Sequence, residues 1–484
     1  MWNVLWPIIY VVAHACLLVR AITRPNRAPA ARVAWVAVIL AIPVVGFISY
    51  LALGETDIGG PRVRRLREAE EALEAVPTTA VPADVHEPAR PMSDLLRSIN
   101  GYAPVAGNRI ELLGDPEAPA SEPKRDSVAA IEAMIAAIGE ARQSVHLSFY
   151  IWLDDVHGGK VADAVAAAAR RGVVCRVMAD ALGSRAFIAS KRWQQLKDAG
   201  VHLLATLDDI PRLGHLAVGR VDLRNHRKVV VIDGAVAFCG SQNCADPEFR
   251  PLAKYAPWID LWFRCEGPIV EQAQRLFLAT WMAESDDDLG SLVQVAPDPF
   301  SGGVVAQMYG TGPTTPGNAM SDSFVTALYT AREELIITSP YFGPDEALLH
   351  AVCAAPRRGV KTVFITPANN NSWAVAASAR STYSALLNSG AEIYEYPLGL
   401  LHSKSITIDG RIALVGSANL DRRSLDLNFE NNLLILDPSV TADVRRRQLG
   451  YQSQSTRVTD ADVRRWGLWR RLFDNTIAMA SPVL

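Results

Sequence analysis

No side chain with a formal charge occurs between Trp2 and Val19, and none between Val33 and Leu53. A helix of either length crosses about 30 Å of hydrocarbon, so residues 1–54 read as a transmembrane hairpin. A cleaved signal peptide fits less well, because no Lys or Arg precedes the first apolar core and a second membrane-length run follows it closely. A hairpin places the N-terminus and everything after residue 54 on one side. Charge does not choose that side: Arg20, Arg24, Arg27 and Arg32 between the runs are balanced by Arg62, Arg64, Arg65 and Arg67 after them.

A net charge of appreciable size is also missing. The 48 basic and 51 acidic residues leave −3, so no overall attraction draws the chain to nucleic acid. The six cysteines (Cys16, Cys175, Cys239, Cys244, Cys265, Cys353) have neither metal-ligand spacing nor the density of a disulfide scaffold, and read as buried thiols. No P-loop and no G-x-S-x-G turn is present to support nucleotide or serine-hydrolase chemistry.

What is present is ordered along the chain. Residues 62–76 form a charged, weakly amphipathic helical stretch, and Pro77, Pro82, Pro88 and Pro91 stiffen a linker after it. A helix opens near Asp126 with Val128, Ile131, Ile135 and Ile138 on one stripe, then gives way to a strand from Val145 to Trp152. A second helix, about 158–171, leads through Arg170-Arg171-Gly172-Val173 into another strand. The same order returns: Ala331-Arg332, a strand from Leu335 to Phe342, a helix, and Arg357-Arg358-Gly359-Val360 before the next strand. This duplication predicts an α/β chain of two similar halves. The expected divisions are the hairpin at 1–54, an amphipathic segment and Pro-rich linker at 55–105, a first half at 106–290 and a second at 291–484. The acidic stretch 285–303 joins the halves, and Asp286-Asp287-Asp288 within it reads as solvated linker rather than a metal site.

The chemistry sits where the repeat is most exact. His226-Arg227-Lys228 precedes Asp233, and His402-Ser403-Lys404 precedes Asp409, at identical H-x-K-x-x-x-x-D spacing. Each copy is followed at the same offset by Gly-Ser-x-Asn, Gly240 to Asn243 and Gly416 to Asn419. A lone His is most often a satisfied core residue, but two matched constellations with a scarce lysine in each point to function. Both motifs run into β-rich segments, so His and Lys two apart share a face. Asp233 and Asp409 have the opposite parity and stand before Gly234 and Gly410, which suits a supporting role in the turn.

Paired imidazoles, ammonium groups and amides suit a phosphodiester. One His attacks phosphorus while the other protonates the departing alcohol. Lys228, Lys404, Asn243 and Asn419, with Ser241 and Ser417 beside them, are the candidate substrate-binding groups. That mechanism calls for no metal and no cofactor.

The duplicated motif resembles the phospholipase D superfamily, and nearly the whole chain is similar to bacterial cardiolipin synthases of the hairpin-anchored type. The likeness includes Tyr50-Leu51-Ala52-Leu53-Gly54-Glu55, Phe149-Tyr150-Ile151-Trp152, Pro257-Trp258-Ile259-Asp260 with Glu266-Gly267-Pro268, and Pro340-Tyr341-Phe342. It continues through Asn419-Leu420-Asp421-Arg422-Arg423-Ser424 to Asn428-Phe429-Glu430. The resemblance implies two α/β/α halves related by a pseudo-twofold axis and one active site built by both. It implies transfer of a phosphatidyl group between two phosphatidylglycerol molecules, giving cardiolipin and glycerol, in a bacterial cell membrane, with phospholipids and not nucleic acid as partners. It further implies that Asp260 and Glu430 orient the catalytic histidines, with His226 as nucleophile and His402 as acid, although near-symmetry leaves the reverse order open. Phospholipase D hydrolysis and a catalytically silent membrane scaffold are the rival readings. Near the C-terminus, Arg464-Arg465-Trp466-Gly467-Leu468-Trp469-Arg470-Arg471 either meets anionic headgroups or closes the core.

Overall fold

Val229-Val230-Val231-Ile232 and Ser405-Ile406-Thr407-Ile408 are buried along their whole length. Such continuous β-branched and aliphatic runs suit strands inside a sheet covered on both faces. The computed structural model places them so, and describes residues 2–24, 29–54, 59–74, 78, 80–85, 87–114, 124–208, 222–285, 287–293, 296–315 and 317–480. Arg27, Glu55, Pro77 and Asp286 of the sequence reading lie outside these residues.

The first set of strands is β1 (Val105–Leu112), β2 (Ser144–Phe149), β3 (Val174–Asp180), β4 (His202–Thr206), β5 (Val229–Ile232), β6 (Val236–Gly240), β7 (Trp258–Ile259) and β8 (Trp262–Glu266). The second opens with β9 (Val304–Thr311), β10 (Glu334–Thr338), β11 (Phe342–Gly343), β12 (Lys361–Pro367), β13 (Glu392–Tyr396) and β14 (Leu400–Leu401). It closes with β15 (Ser405–Ile408), β16 (Ile412–Gly416), β17 (Leu420–Asp421), β18 (Glu430–Leu436) and β19 (Thr456–Val458). One 15-stranded sheet runs β19-β13-β12-β10-β15-β16-β18-β9-β1-β8-β6-β5-β2-β3-β4. Outward from the central pair β9 and β1, the two arms match strand for strand, and β19 extends only the second. In each arm the three outermost repeat strands are parallel, β2-β3-β4 and β10-β12-β13, and the rest pair antiparallel.

Helices Lys124–Glu140 and Val156–Arg170 cover the first arm with Val145, Leu147, Phe149 and Val177. Helices Ala319–Thr330 and Glu346–Arg357 do the same over Leu335, Ile337 and Phe364. Across the middle lies a shared core, in which Val229, Ala237, Met308, Val415 and Leu433 pack with Ile269 and Leu276 of helix Ile269–Glu284 and Val440 and Val444 of helix Pro438–Ser453. A buried Arg447–Asp126 ion pair ties the arms together.

The N-terminal region departs from the hydropathy reading. The helices are α1 (Trp2–Thr23), α2 (Pro29–Ala41) and α3 (Pro43–Leu53). The second apolar run is therefore two helices of 13 and 11 residues, because Pro43 lacks an N–H and its ring clashes with the preceding turn. Their lengths are roughly 20 and 16 Å. Among the described residues, no helix is long and apolar enough to cross a membrane, so two spanning helices are not shown. His14 of α1 has its Nε2 3.0 Å from the Pro43 carbonyl, at the break.

The segment read as a weakly amphipathic stretch and linker carries two docked helices. Helix α4 (Gly60–Glu74) buries Leu66, Ala69 and Leu73, and Arg62 pairs with Glu284 at 3.0 Å. Helix α5 (Arg90–Asn100) sinks Met92 and Leu96 into the core of the second arm, and Ser93 Oγ donates to Gln307 at 2.8 Å. Asp287 accepts from the Trp281 indole at 2.9 Å, and Asp288 accepts from Gly290 N–H at 3.2 Å.

Candidate active site

Each H-x-K motif lies just before a central strand, and each Gly-Ser-x-Asn just after its antiparallel neighbour, so both sets emerge at one end of the sheet. Asp233 and Asp409 both take φ of +52°, and Gly234 and Gly410 follow at +61° and +64°. This is left-handed backbone that Asp tolerates and Gly favours. The Asp233 carboxylate accepts from the N–H groups of Arg142, Gln143 and Ser144 at 2.7–2.8 Å. Asp409 repeats this with Arg332, Glu333 and Glu334 at 2.8–2.9 Å. Both carboxylates thus pin the hairpin to the head of the neighbouring strand, away from the histidines.

The histidines cross between arms. Asn225 bridges Phe429 in parallel register, and His226 N–H donates to the Phe429 carbonyl at 2.9 Å. In the other direction β14 pairs in parallel with β7, and His402 N–H donates to the Ile259 carbonyl at 2.8 Å. The next residue on each partner segment is the carboxylate. His226 Nδ1 therefore lies 2.8 Å from Glu430 Oε2, and His402 Nδ1 lies 2.7 Å from Asp260 Oδ1. Each imidazole is held by the opposite arm. With Nδ1–H committed to the carboxylate, Nε2 is left for chemistry.

The lysines fold back beside them. Lys228 Nζ donates to the His226 carbonyl at 2.8 Å, and Lys404 Nζ to the His402 carbonyl at 2.5 Å. Ser241 Oγ donates to Asp260 at 2.6 Å, and Ser417 Oγ donates to Glu430. The serine hydroxyls thus sit against the carboxylates. Asn243 Oδ1 accepts from Ile151 N–H at 3.4 Å, while the Asn419 amide meets Ser424 Oγ at 3.3 Å.

Burial sets the charge states. It pushes His226 and His402 down to about 4 against the opposing pull of Glu430 and Asp260, so both imidazoles are neutral at pH 7 before substrate binds. Burial also lowers Lys228 to about 8 and Lys404 to about 7. It pushes the Glu430 carboxyl up, but His226, Lys228 and Ser417 outweigh that and hold it at about 2. Asp260 is lowered in the same way: burial is overcome by His402, Lys404 and Ser241.

The repeat did not reveal several further residues. Glu430 Oε1 is braced by Ser424 Oγ at 2.8 Å and Asn428 Nδ2 at 3.2 Å, and among the described residues Asp260 has no counterpart to these two contacts. Asn428, two residues before Glu430, shares its strand parity, which is the signal that could have found it. Tyr150 lies 4.9 Å from the His226 ring, and Trp258 4.7 Å from the His402 ring. Asp180 accepts from Asn225 N–H at 2.8 Å and so positions the residue before His226. Asp421, pushed up to about 6 by burial, caps the short helix that carries Ser424.

Comparison with known proteins supplies the family. Residues 134–281 and 324–448 match the family described as cardiolipin synthase, PLD-like domain, and residues 8–55 match the phospholipase D-nuclease N-terminal family. The chain is 35% identical over 475 residues to cardiolipin synthase A of Serratia proteamaculans, covering 95% of this chain and 94% of that one. It is 36% identical over 494 residues to cardiolipin synthase A of Salmonella arizonae, covering 98% and 97%. Among solved structures, phosphatidylserine synthase of Haemophilus influenzae aligns with a TM-score of 0.58 at 14% identity, over 82% of this chain and all of that one, a likeness of fold. Sequence identity at this level over nearly the full length, with the duplicated site intact, places the chain in the PLD-like cardiolipin synthase family.

Proposed function

We propose that the chain is a phosphatidyltransferase that makes cardiolipin and glycerol from two phosphatidylglycerol molecules through a phosphohistidine. The observation that carries the chemistry is the pair of crossed imidazole–carboxylate contacts flanked by buried lysines. His226 Nε2 attacks phosphorus of the first lipid. His402, turned to imidazolium as the bound phosphodiester anion favours its charged form, gives its proton to the departing glycerol. The second lipid's glycerol hydroxyl then loses its proton to His402 and attacks phosphorus. The P–N bond breaks, releasing cardiolipin, freeing the His226 imidazole and leaving His402 as the imidazolium that began the cycle. Lys228 and Lys404 meet the non-bridging oxygens, with Asn419 and the NH₂ of Asn243 as further donors. Ser241, Ser417, Ser424 and Asn428 act through the carboxylates and are positioning residues. Asp233 and Asp409 hold the hairpins.

The same reading seats α1, α2 and α3 in lipid. Leu5, Ile8, Val11, Val33, Leu40 and Val44 are exposed around these helices, where water is a poor solvent for them. A proline break at membrane depth is tolerated where neighbouring helices pack against it, and His14 of α1 packs there, with its Nε2 against the Pro43 carbonyl.

The test is mass spectrometry of lipids after purified protein meets phosphatidylglycerol alone, beside His226→Ala and His402→Ala. Cardiolipin and glycerol in equal amounts, from the parent only, is the expected result. Phosphatidic acid as the product would make the chain a hydrolase and overturn the proposal.

A further inference from the structure

The last helix, Leu468–Ala480, is packed inside out. Its buried residue is Asp474, 1% exposed, whose carboxylate takes two hydrogen bonds from Arg380 at 3.0 and 2.7 Å. Its apolar residues face outward: Leu468 is 76% exposed, Trp469 81%, Leu472 52%, Phe473 48% and Met479 76%. At 3.6 residues per turn these share one face, opposite Asp474. A helix that only closed a core would turn this stripe inward.

Two features identify what the stripe meets. The first is charge. Arg464, Arg465, Arg470 and Arg471 flank it, and with Arg380 they make five arginines against the three aspartates Asp460, Asp462 and Asp474. The Arg464 and Arg465 side chains, 77% and 80% exposed, pair with Asp460 and Asp462 at the surface, Arg470 lies 3.8 Å from Asp474, and Arg471 spends its guanidinium on the Arg464 and Val463 carbonyls, so the cluster keeps a surplus of two positive charges. The second is position. The Phe473 ring lies 5.9 Å from Trp373, itself 64% exposed at the start of helix Trp373–Ser389. Two residues before Trp373, Asn371 accepts from the Tyr341 hydroxyl at 2.7 Å, and the Tyr341 ring is 6.2 Å from His402. The apolar stripe is thus linked to His402 through Trp373, Asn371 and Tyr341.

We infer that helix 468–480 and Trp373 form an interfacial docking element that seats the mouth of the active site on an anionic phospholipid surface. Apolar side chains enter the acyl boundary and the arginines meet phosphates, the arrangement of a helix lying in the plane of a membrane. This rests on the proposed lipid substrate: docking at the rim would let the headgroup reach His402 while its acyl chains stay in hydrocarbon.

The test uses the full-length protein in vesicles of phosphatidylglycerol and phosphatidylcholine whose acyl chains are brominated near the headgroup. Quenching of tryptophan fluorescence should be stronger for the parent than for Trp469→Phe, and the difference should shrink in phosphatidylcholine alone. In parallel, Leu468→Ser/Trp469→Ser/Phe473→Ser should raise KM for vesicular phosphatidylglycerol about tenfold and leave turnover of a dispersed short-chain phosphatidylglycerol unchanged. Equal loss on both substrates would make the helix merely structural, and no loss on either would make it irrelevant; both outcomes overturn the inference. A parent dimer in detergent that the triple variant abolishes would give the face to a second copy of the chain, and also overturns it. Quenching needs no turnover, so strong quenching without cardiolipin synthesis would sink the proposed reaction and leave the docking element standing.

Discussion

At the residue scale, the two histidines depend on carboxylates that fix the tautomer and leave Nε2 free. Glu430→Gln and Asp260→Asn keep shape but can donate to Nδ1, turning the reactive nitrogen into the protonated one. Each is expected to lower kcat by on the order of 10²–10⁴ with little change in KM, measured by glycerol release. The pH profile follows from the same burial. An imidazole held at about 4 becomes protonated and ceases to be a nucleophile only below that pH. Lys404, held at about 7, loses the charge it offers the phosphate as pH rises through that value. Because kcat/KM refers to the free enzyme, in which His402 must also take up a proton against a pKa of about 4, the profile should fall off below about 4, decline through the neutral range and gain a steeper alkaline limb near the Lys404 value of about 7. Lys404→Arg, which does not titrate in this range, should carry the alkaline limb upward toward that of Lys228, about 8. An unmoved limb would assign it to another group.

At the scale of the element, the motif aspartates belong to the hairpins. Asp233→Ala or Asp409→Ala removes an acceptor of three backbone N–H groups and leaves a β-carbon at positive φ. Thermal unfolding should show a loss of about 2–4 kcal/mol, with kcat of the surviving folded fraction nearly unchanged. Helix α4 matters more than its sequence suggests. Deleting residues 1–54 keeps α4 docked; deleting 1–77 strips its cover from Leu207, Leu223, Leu427 and Phe429, the last beside Glu430. The longer deletion should cost on the order of 5 kcal/mol and most of the activity, the shorter one little stability. Strands β5 and β15 and the turns that end them were legible because β-branched runs meet an Asp-Gly pair, a purely local signal. The docking of α4 and α5 was not. Their few apolar residues gain meaning only from surfaces more than a hundred residues away, and a hydropathy window runs through Pro43 without registering the lost N–H.

At the scale of the whole molecule, the repeat made both motifs readable and assigned the two carboxylates by likeness, but not their crossing. A sequence states which carboxylate follows which histidine, whereas the partner is set by which strand ends meet when β9 and β1 join the arms. That crossing bears on which histidine reacts first. Glu430 is braced by Ser417, Ser424 and Asn428 as well as His226, while Asp260 has Ser241 and His402. A better-braced carboxylate would hold its imidazole more rigidly, as a nucleophile requires, which favours the role proposed for His226. A phosphatidyl ester with a p-nitrophenol leaving group makes the order visible, since such a group departs without an acid. His402→Ala should then still form the covalent intermediate and stall, because no base remains to activate the second alcohol. Because a P–N bond is labile in acid and survives base, peptide mapping after an alkaline denaturing quench should find the phosphoryl label on His226. His226→Ala should give no label at His402. Label on His402 in that variant would reverse the roles, making the first arm the acid and the second the nucleophile.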